Sequence, residues 1–99
     1  MPTPAQARDL VHAYYAAASF ADAQAGRILQ TLDELKLREK TVVVVWSDHG
    51  FHLGDQERWA KWTQFEADMR SPLMIRVPTV GHGGQSSNAL VESVDLYPT

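Results

Sequence analysis

Ninety-nine residues, 44% of them hydrophobic and 21% charged, describe one small globular domain rather than a disordered or fibrous chain. A domain of this size buries only about two thirds of the surface its unfolded chain exposes, so the core is a modest one. The formal charge of −3 and the lack of any Lys/Arg run speak against nucleic acid and membrane surfaces as partners, and the absence of cysteine excludes disulfides, zinc thiolates and a cysteine nucleophile within the chain.

The N-terminal "MPTPAQARDL" lacks the basic flank and apolar run of a secretion signal, and no stretch approaches the roughly 20 apolar residues of a membrane span. Instead it reads as a helix start. Thr3 is the N-cap, Pro4 takes the first helical position where its missing N–H costs nothing, and Gln6 stands three residues after the cap to reach back. Downstream, Tyr14, Ala18, Ala21, Ala25, Ile28, Leu32 and Leu35 recur at spacings of three and four, which puts them on one helical face. The pattern fits one long amphipathic helix or two in series, with the break at Ser19-Phe20 or at Gly26, where glycine costs about 1 kcal/mol relative to alanine. The basic residues of "LKLREK" close the helix at the end its macrodipole favours.

Thr41 to Trp46, "TVVVVW", is β-branched and apolar without alternation. That predicts an interior strand buried on both faces, as in a parallel sheet covered by helices. "QERWAKWTQFEADMRS" reads as loop with a short helix, and "PLMIRV" over Pro72 to Val77 as a second strand closed by Pro78. "PTVGHGGQSSN" is a surface loop. "ALVESVDLYPT" begins an apolar pattern that Asp95 is placed to cap, and it stops early enough that the chain is expected to be a piece of something longer. The order helix, strand, loop, strand argues for an α/β class.

Ligands in α/β sheets bind beyond the carboxyl ends of strands, and Asp48 and His49 lie just past the last valine. A carboxylate beside an imidazole presents an oxygen and a nitrogen to a divalent ion, and Gly50 lets the backbone turn away. The competing reading is a helix-capping aspartate with a hydrogen-bonded histidine. Lys61, between Trp59 and Trp62, is either an ammonium held by aromatic walls beside an anionic group or a solvent-exposed lysine with tryptophan neighbours. His52 is a candidate for a pocket wall or for proton transfer; His82 reads as a loop residue. Glycine-rich phosphate loops, G-x-S-x-G and H-E-x-x-H are absent.

Taken together, "YYAAASFADAQAGRILQTLDEL", "TVVVVWSDHGFHLGD", "WAKWTQFE", "SPLMIRVP" and "VESVDLYPT" resemble the sulfatase family of the alkaline phosphatase superfamily, most closely its iduronate-2-sulfatase-like and choline-sulfatase-like members. The stretches follow the family's order and spacing from about Leu10 onward. The resemblance implies that Asp48 and His49 ligate a divalent cation, usually calcium, and that Lys61 binds the oxygens of a sulfate ester. His49 stands where many sulfatases have Asn and the iduronate type has His; at His52 the family varies, which leaves a substrate-side guess. The implied fold is part of an alkaline-phosphatase-like sandwich, with residues 1–99 as the C-terminal portion of a sulfatase catalytic domain.

The departures from the family matter as much. Its nucleophile is a formylglycine made from a Cys or Ser in a C-x-P-S-R type motif, and it uses a further pair of metal-binding aspartates with additional Lys and His residues. None of these is in the chain, so the 99 residues alone are expected to be inactive. With part of its sheet missing, "TVVVVW" is also expected to leave strand edges uncovered, a route to oligomers. A phosphodiesterase or phosphonate monoester hydrolase of the same superfamily, and a non-catalytic binding module, are the alternative readings.

Overall fold

The computed structural model describes every residue except His82 and Thr99. One helix dominates it: α1 runs Pro4–Glu34 without interruption through Ser19, Phe20 and Gly26. At 1.5 Å per residue its 31 residues span about 46 Å, close to the 49 Å long axis of the molecule. The predicted start forms in full. The Gln6 amide donates to the Thr3 hydroxyl at 3.3 Å and the Thr3 amide to the Gln6 side chain at 2.9 Å.

The helix stops by backbone geometry rather than by charge. Lys36 turns into the left-handed region (φ 55°), and the amides of Lys36 and Leu37 donate back to the carbonyls of Asp33 and Leu32. No basic residue lies in the last turn, so Lys36, Arg38 and Lys40 fall beyond the helix rather than closing it.

Two small antiparallel sheets complete the α/β architecture. The strand β1 (Val43–Trp46) pairs with β4 (Leu73–Arg76), Val44 opposite Ile75 and Val45 opposite Met74. A tight hairpin of β2 (His52–Leu53) and β3 (Trp59–Ala60) sets His52 opposite Ala60. A single-turn helix α2, Glu66–Met69, leads back to β4. The expectation of buried parallel strands needs correction here. β1 meets β4 antiparallel, and Val44, Val45, Trp46, Met74 and Ile75 are each more than a third exposed. An unbroken apolar run records that both faces suit burial; it carries no information on the direction of the neighbouring strand, nor on whether a covering layer belongs to the same stretch of chain.

Packing is concentrated where the first half of α1 meets the hairpin. Ala7, Val11, Phe51, Leu53 and Trp59 are half-buried there, and the Tyr14 and Phe51 rings lie 5.0 Å apart. Farther along α1, Ala25, Leu29 and Leu32 are partly covered, whereas Ile28 and Leu35, expected on the packing face, are about two thirds exposed. Among the described residues no hydrophobic side chain is fully buried. The Cα radius of gyration, 16.9 Å, exceeds the roughly 13 Å of a compact domain of 100 residues. Arg76 ties β4 to the turn after α1 through the Arg38 carbonyl and the Glu39 carboxylate, both at 2.7 Å. No helix among the described residues is long and apolar enough to cross a membrane.

Candidate functional site

Past Trp46 the chain leaves β1 in a turn that Ser47 stabilises, its hydroxyl donating to the His49 carbonyl at 2.8 Å and its amide to the Pro72 carbonyl at 3.3 Å. Gly50 then passes so close to α2 that a Cβ built on it would sit 1.9 Å from the Ala67 carbonyl oxygen, while its amide donates to the Asp68 carbonyl at 2.6 Å. Only glycine permits that approach. The turn therefore fixes Asp48 and His49 at the carboxyl end of β1.

The structure brings three of the four sequence-predicted site residues together. His49 Nδ1 is 2.6 Å from the Gly50 carbonyl, which can only accept, so Nδ1 carries the hydrogen and a neutral ring offers its lone pair at Nε2. At that Nε2 stands the Lys61 ammonium, 2.6 Å away, with Asp48 Oδ2 at 3.4 Å. Asp48 is largely exposed, His49 about one third so. The convergence gives a carboxylate oxygen, an imidazole nitrogen and an ammonium at one strand end. The Lys61 ammonium meets the Nε2 lone pair, and an imidazole nitrogen with a carboxylate oxygen 3.4 Å from it is a donor pair that suits part of a divalent ion's shell. They do not make a whole one: a hard cation takes six or more oxygens, and among the described residues no group of three or more acidic, imidazole or thiol side chains converges.

Lys61 is presented from strained backbone. Its neighbours Ala60 and Trp62 have φ of 68° and 98°, conformations that cost about 1–3 kcal/mol each and persist only where surroundings impose them. Of the two tryptophans expected to wall the ammonium, Trp62 does so at 5.5 Å from its ring centre, while Trp59 turns away toward Leu53, Gly54 and α1.

His52 is placed elsewhere. It is completely buried, its Nε2 2.8 Å from the Thr63 hydroxyl and 3.7 Å from Asp68 Oδ1, its ring edge-on to Phe65. Thr63 and Asp68 are two residues that sequence reasoning passed over. The "TQFE" pattern of a threonine three residues before a glutamate suggests a capped helix start, but α2 begins at Glu66 with Phe65 as its N-cap and no side-chain cap, so Thr63 serves a turn instead. In the fold the Thr63 hydroxyl accepts from the Phe65 amide at 3.2 Å and donates to Asp68 Oδ2 at 2.8 Å, and the Thr63 amide adds a bond to the same oxygen at 2.6 Å. Burial pushes the Asp68 carboxyl pKa up, but the Thr63 hydroxyl and amide, with His52 and His49 nearby, outweigh it and hold the group below the ordinary carboxylate value. His82 lies outside the described residues.

The sulfatase family model matches residues 1–99. The chain belongs to the sulfatase family. It is similar to iduronate 2-sulfatase of Mus musculus, 41% identical over 71 residues that cover 72% of this chain and 13% of that protein. A sulfatase of Formosa agariphila is 35% identical over 93% of this chain and 18% of its own length, and human arylsulfatase K 38% identical over 87% and 16%. The chain thus spans about a fifth or less of the length of these relatives. No solved structure gave a significant match.

Proposed function

We propose that this chain is a segment of a sulfatase catalytic domain, supplying Asp48 and His49 to a divalent cation, calcium by the family resemblance, and Lys61 to the oxygens of a sulfate ester. The observation that carries the reading is the contact of Lys61 with His49, itself beside Asp48, across twelve residues of sequence at the end of β1. When bound, the cation supplies Lewis-acid neutralisation of charge on the sulfuryl oxygens. The chain's own residues do the rest of their part by position. The Gly50 carbonyl keeps the hydrogen of His49 on Nδ1, which leaves Nε2 facing Asp48 and Lys61. Lys61 brings a full positive charge to the place where an ester oxygen gains negative charge as the S–O bond breaks. The nucleophile that attacks sulfur is not among these residues, so the 99-residue chain by itself is inactive in this reading.

A graft tests it. Residues 41–78 of this chain replace the matching segment of human arylsulfatase K, and hydrolysis of an aryl sulfate is followed beside that of a phosphate diester. Sulfatase turnover retained by the graft and abolished by Asp48→Ala or Lys61→Ala supports the reading. A folded graft that is indifferent to both substitutions, or that cleaves the diester in preference, contradicts it.

A further inference from the structure

The buried group formed by Asp68, Thr63 and His52 is not used in the chemistry proposed above, and its hydrogens can be traced one at a time. At neutral pH the Asp68 carboxylate only accepts. Its Oδ2 lies 2.8 Å from the Thr63 hydroxyl oxygen, a separation that requires a hydrogen between them, and only the hydroxyl has one to give. A threonine hydroxyl carries a single hydrogen, so toward His52 Nε2, 2.8 Å on its other side, the same oxygen acts as an acceptor. The hydrogen of that second bond comes from the ring. His52 therefore carries a hydrogen on Nε2, and its buried Nδ1, which has no hydrogen-bond partner, is the nitrogen that holds the lone pair whenever the ring is neutral.

This chain of bonds spans the two segments that carry the site. His52 lies three residues after His49, and Thr63 two residues after Lys61. The Asp68 backbone takes the Gly50 amide at 2.6 Å while its side chain takes both polar hydrogens of Thr63. One buried aspartate thus ties the turn after β1 to the turn after β3, with Lys61 held between strained neighbours on the span. We infer that Asp68, Thr63 and His52 are positioning residues that hold Lys61 at His49, with His52 locked as the Nε2-protonated tautomer. The consequence for sulfate esters rests on the function proposed above; the order of the hydrogens does not.

The test is imidazole nitrogen NMR on the 99-residue chain, metal-free, at a pH where the rings are neutral. His52 should show a protonated, exchange-protected Nε2 and an unprotonated Nδ1. A nuclear Overhauser contact should join the Lys61 ε-methylene to the His49 ring. Thr63→Ser should keep both signatures, and Thr63→Val should lose the protected Nε2 hydrogen and at least halve the Lys61–His49 contact. His52 protonated on Nδ1 in the native chain overturns the inference, as does a folded Thr63→Val chain with the Lys61–His49 contact intact. If Thr63→Val loses its amide dispersion altogether, the decision falls to Thr63→Ser: retention of the protected Nε2 hydrogen and the contact supports the network, and their loss in a folded chain overturns it. Absence of cation binding at Asp48 would sink the proposed function while leaving this hydrogen-bond order standing.

Discussion

Lys61 Nζ and His49 Nε2 lie 2.6 Å apart although a hairpin separates them in sequence. A compact ammonium at that nitrogen is a point charge on a stem whose root is fixed by its backbone, and arginine's planar fork does not occupy the same volume. In the grafted enzyme, Lys61→Met should lower kcat/KM for an aryl sulfate by about 10²–10³, the usual cost of removing one donor from a site of developing charge. Lys61→Arg should recover less than a tenth of the loss. Steady-state kinetics at substrate concentrations on both sides of KM decide the point.

Gly50 is fixed by space and not by an unusual φ. A methyl group there would overlap the Ala67 carbonyl, which belongs to α2 backbone and cannot rotate aside. Gly50→Ala should therefore destabilise the chain by about 3 kcal/mol, at the upper end of overpacking costs. It should also part the Gly50 amide from Asp68. Urea unfolding followed by tryptophan fluorescence reads the first effect, and amide exchange at Gly50 the second.

Asp68 sets the acid limit. Its folded-state pKa is depressed, burial being outweighed by the two Thr63 bonds and the nearby histidines, so the stability it contributes is fully present above the unfolded carboxylate pKa. That contribution is lost as pH falls through the folded value, which places the decline below about pH 4. A series of unfolding midpoints from pH 7 to pH 2 should show that decline, and Asp68→Asn should be less stable at pH 7 and flatter below pH 4.

At the end of α1, Lys36 adopts the left-handed conformation that a C-terminal helix cap demands, one that costs an L-residue about 1–2 kcal/mol. Lys36→Gly should raise stability by about 1 kcal/mol with the helix length unchanged. Gly26, in mid-helix with nothing within 4 Å of the place its Cβ would take, should gain a similar amount as Gly26→Ala. Circular dichroism melts of the two variants check both.

Local signals in the sequence carried far. Thr3-Pro4-Ala5-Gln6 specified the helix start because a capping box involves only neighbours, and the four-valine run marked β1 to within two residues of its observed Val43–Trp46. Placing Asp48 and His49 at that strand's end needed only the rule for α/β sheets. What the pattern could not carry was pairing. The direction of β4 against β1 and the exposure of both depend on which segments lie alongside, and hydrophobicity along one segment does not encode its neighbour. The same holds for Asp68. A lone aspartate in a polar stretch gave no sign of being buried, since its partners, His52 and Thr63, are sixteen and five residues away and meet it only through the fold.

A cation titration reaches the metal reading most directly. Manganese added to the isotope-labelled chain at millimolar concentration detects even a partial shell by paramagnetic broadening. Resonances of Asp48, His49 and Gly50 should broaden first, with Lys61 next, and Asp48→Asn should abolish the effect. Broadening confined to the acidic residues around Asp33 and Glu34, with positions 48–50 unchanged, would contradict a metal role for this strand end.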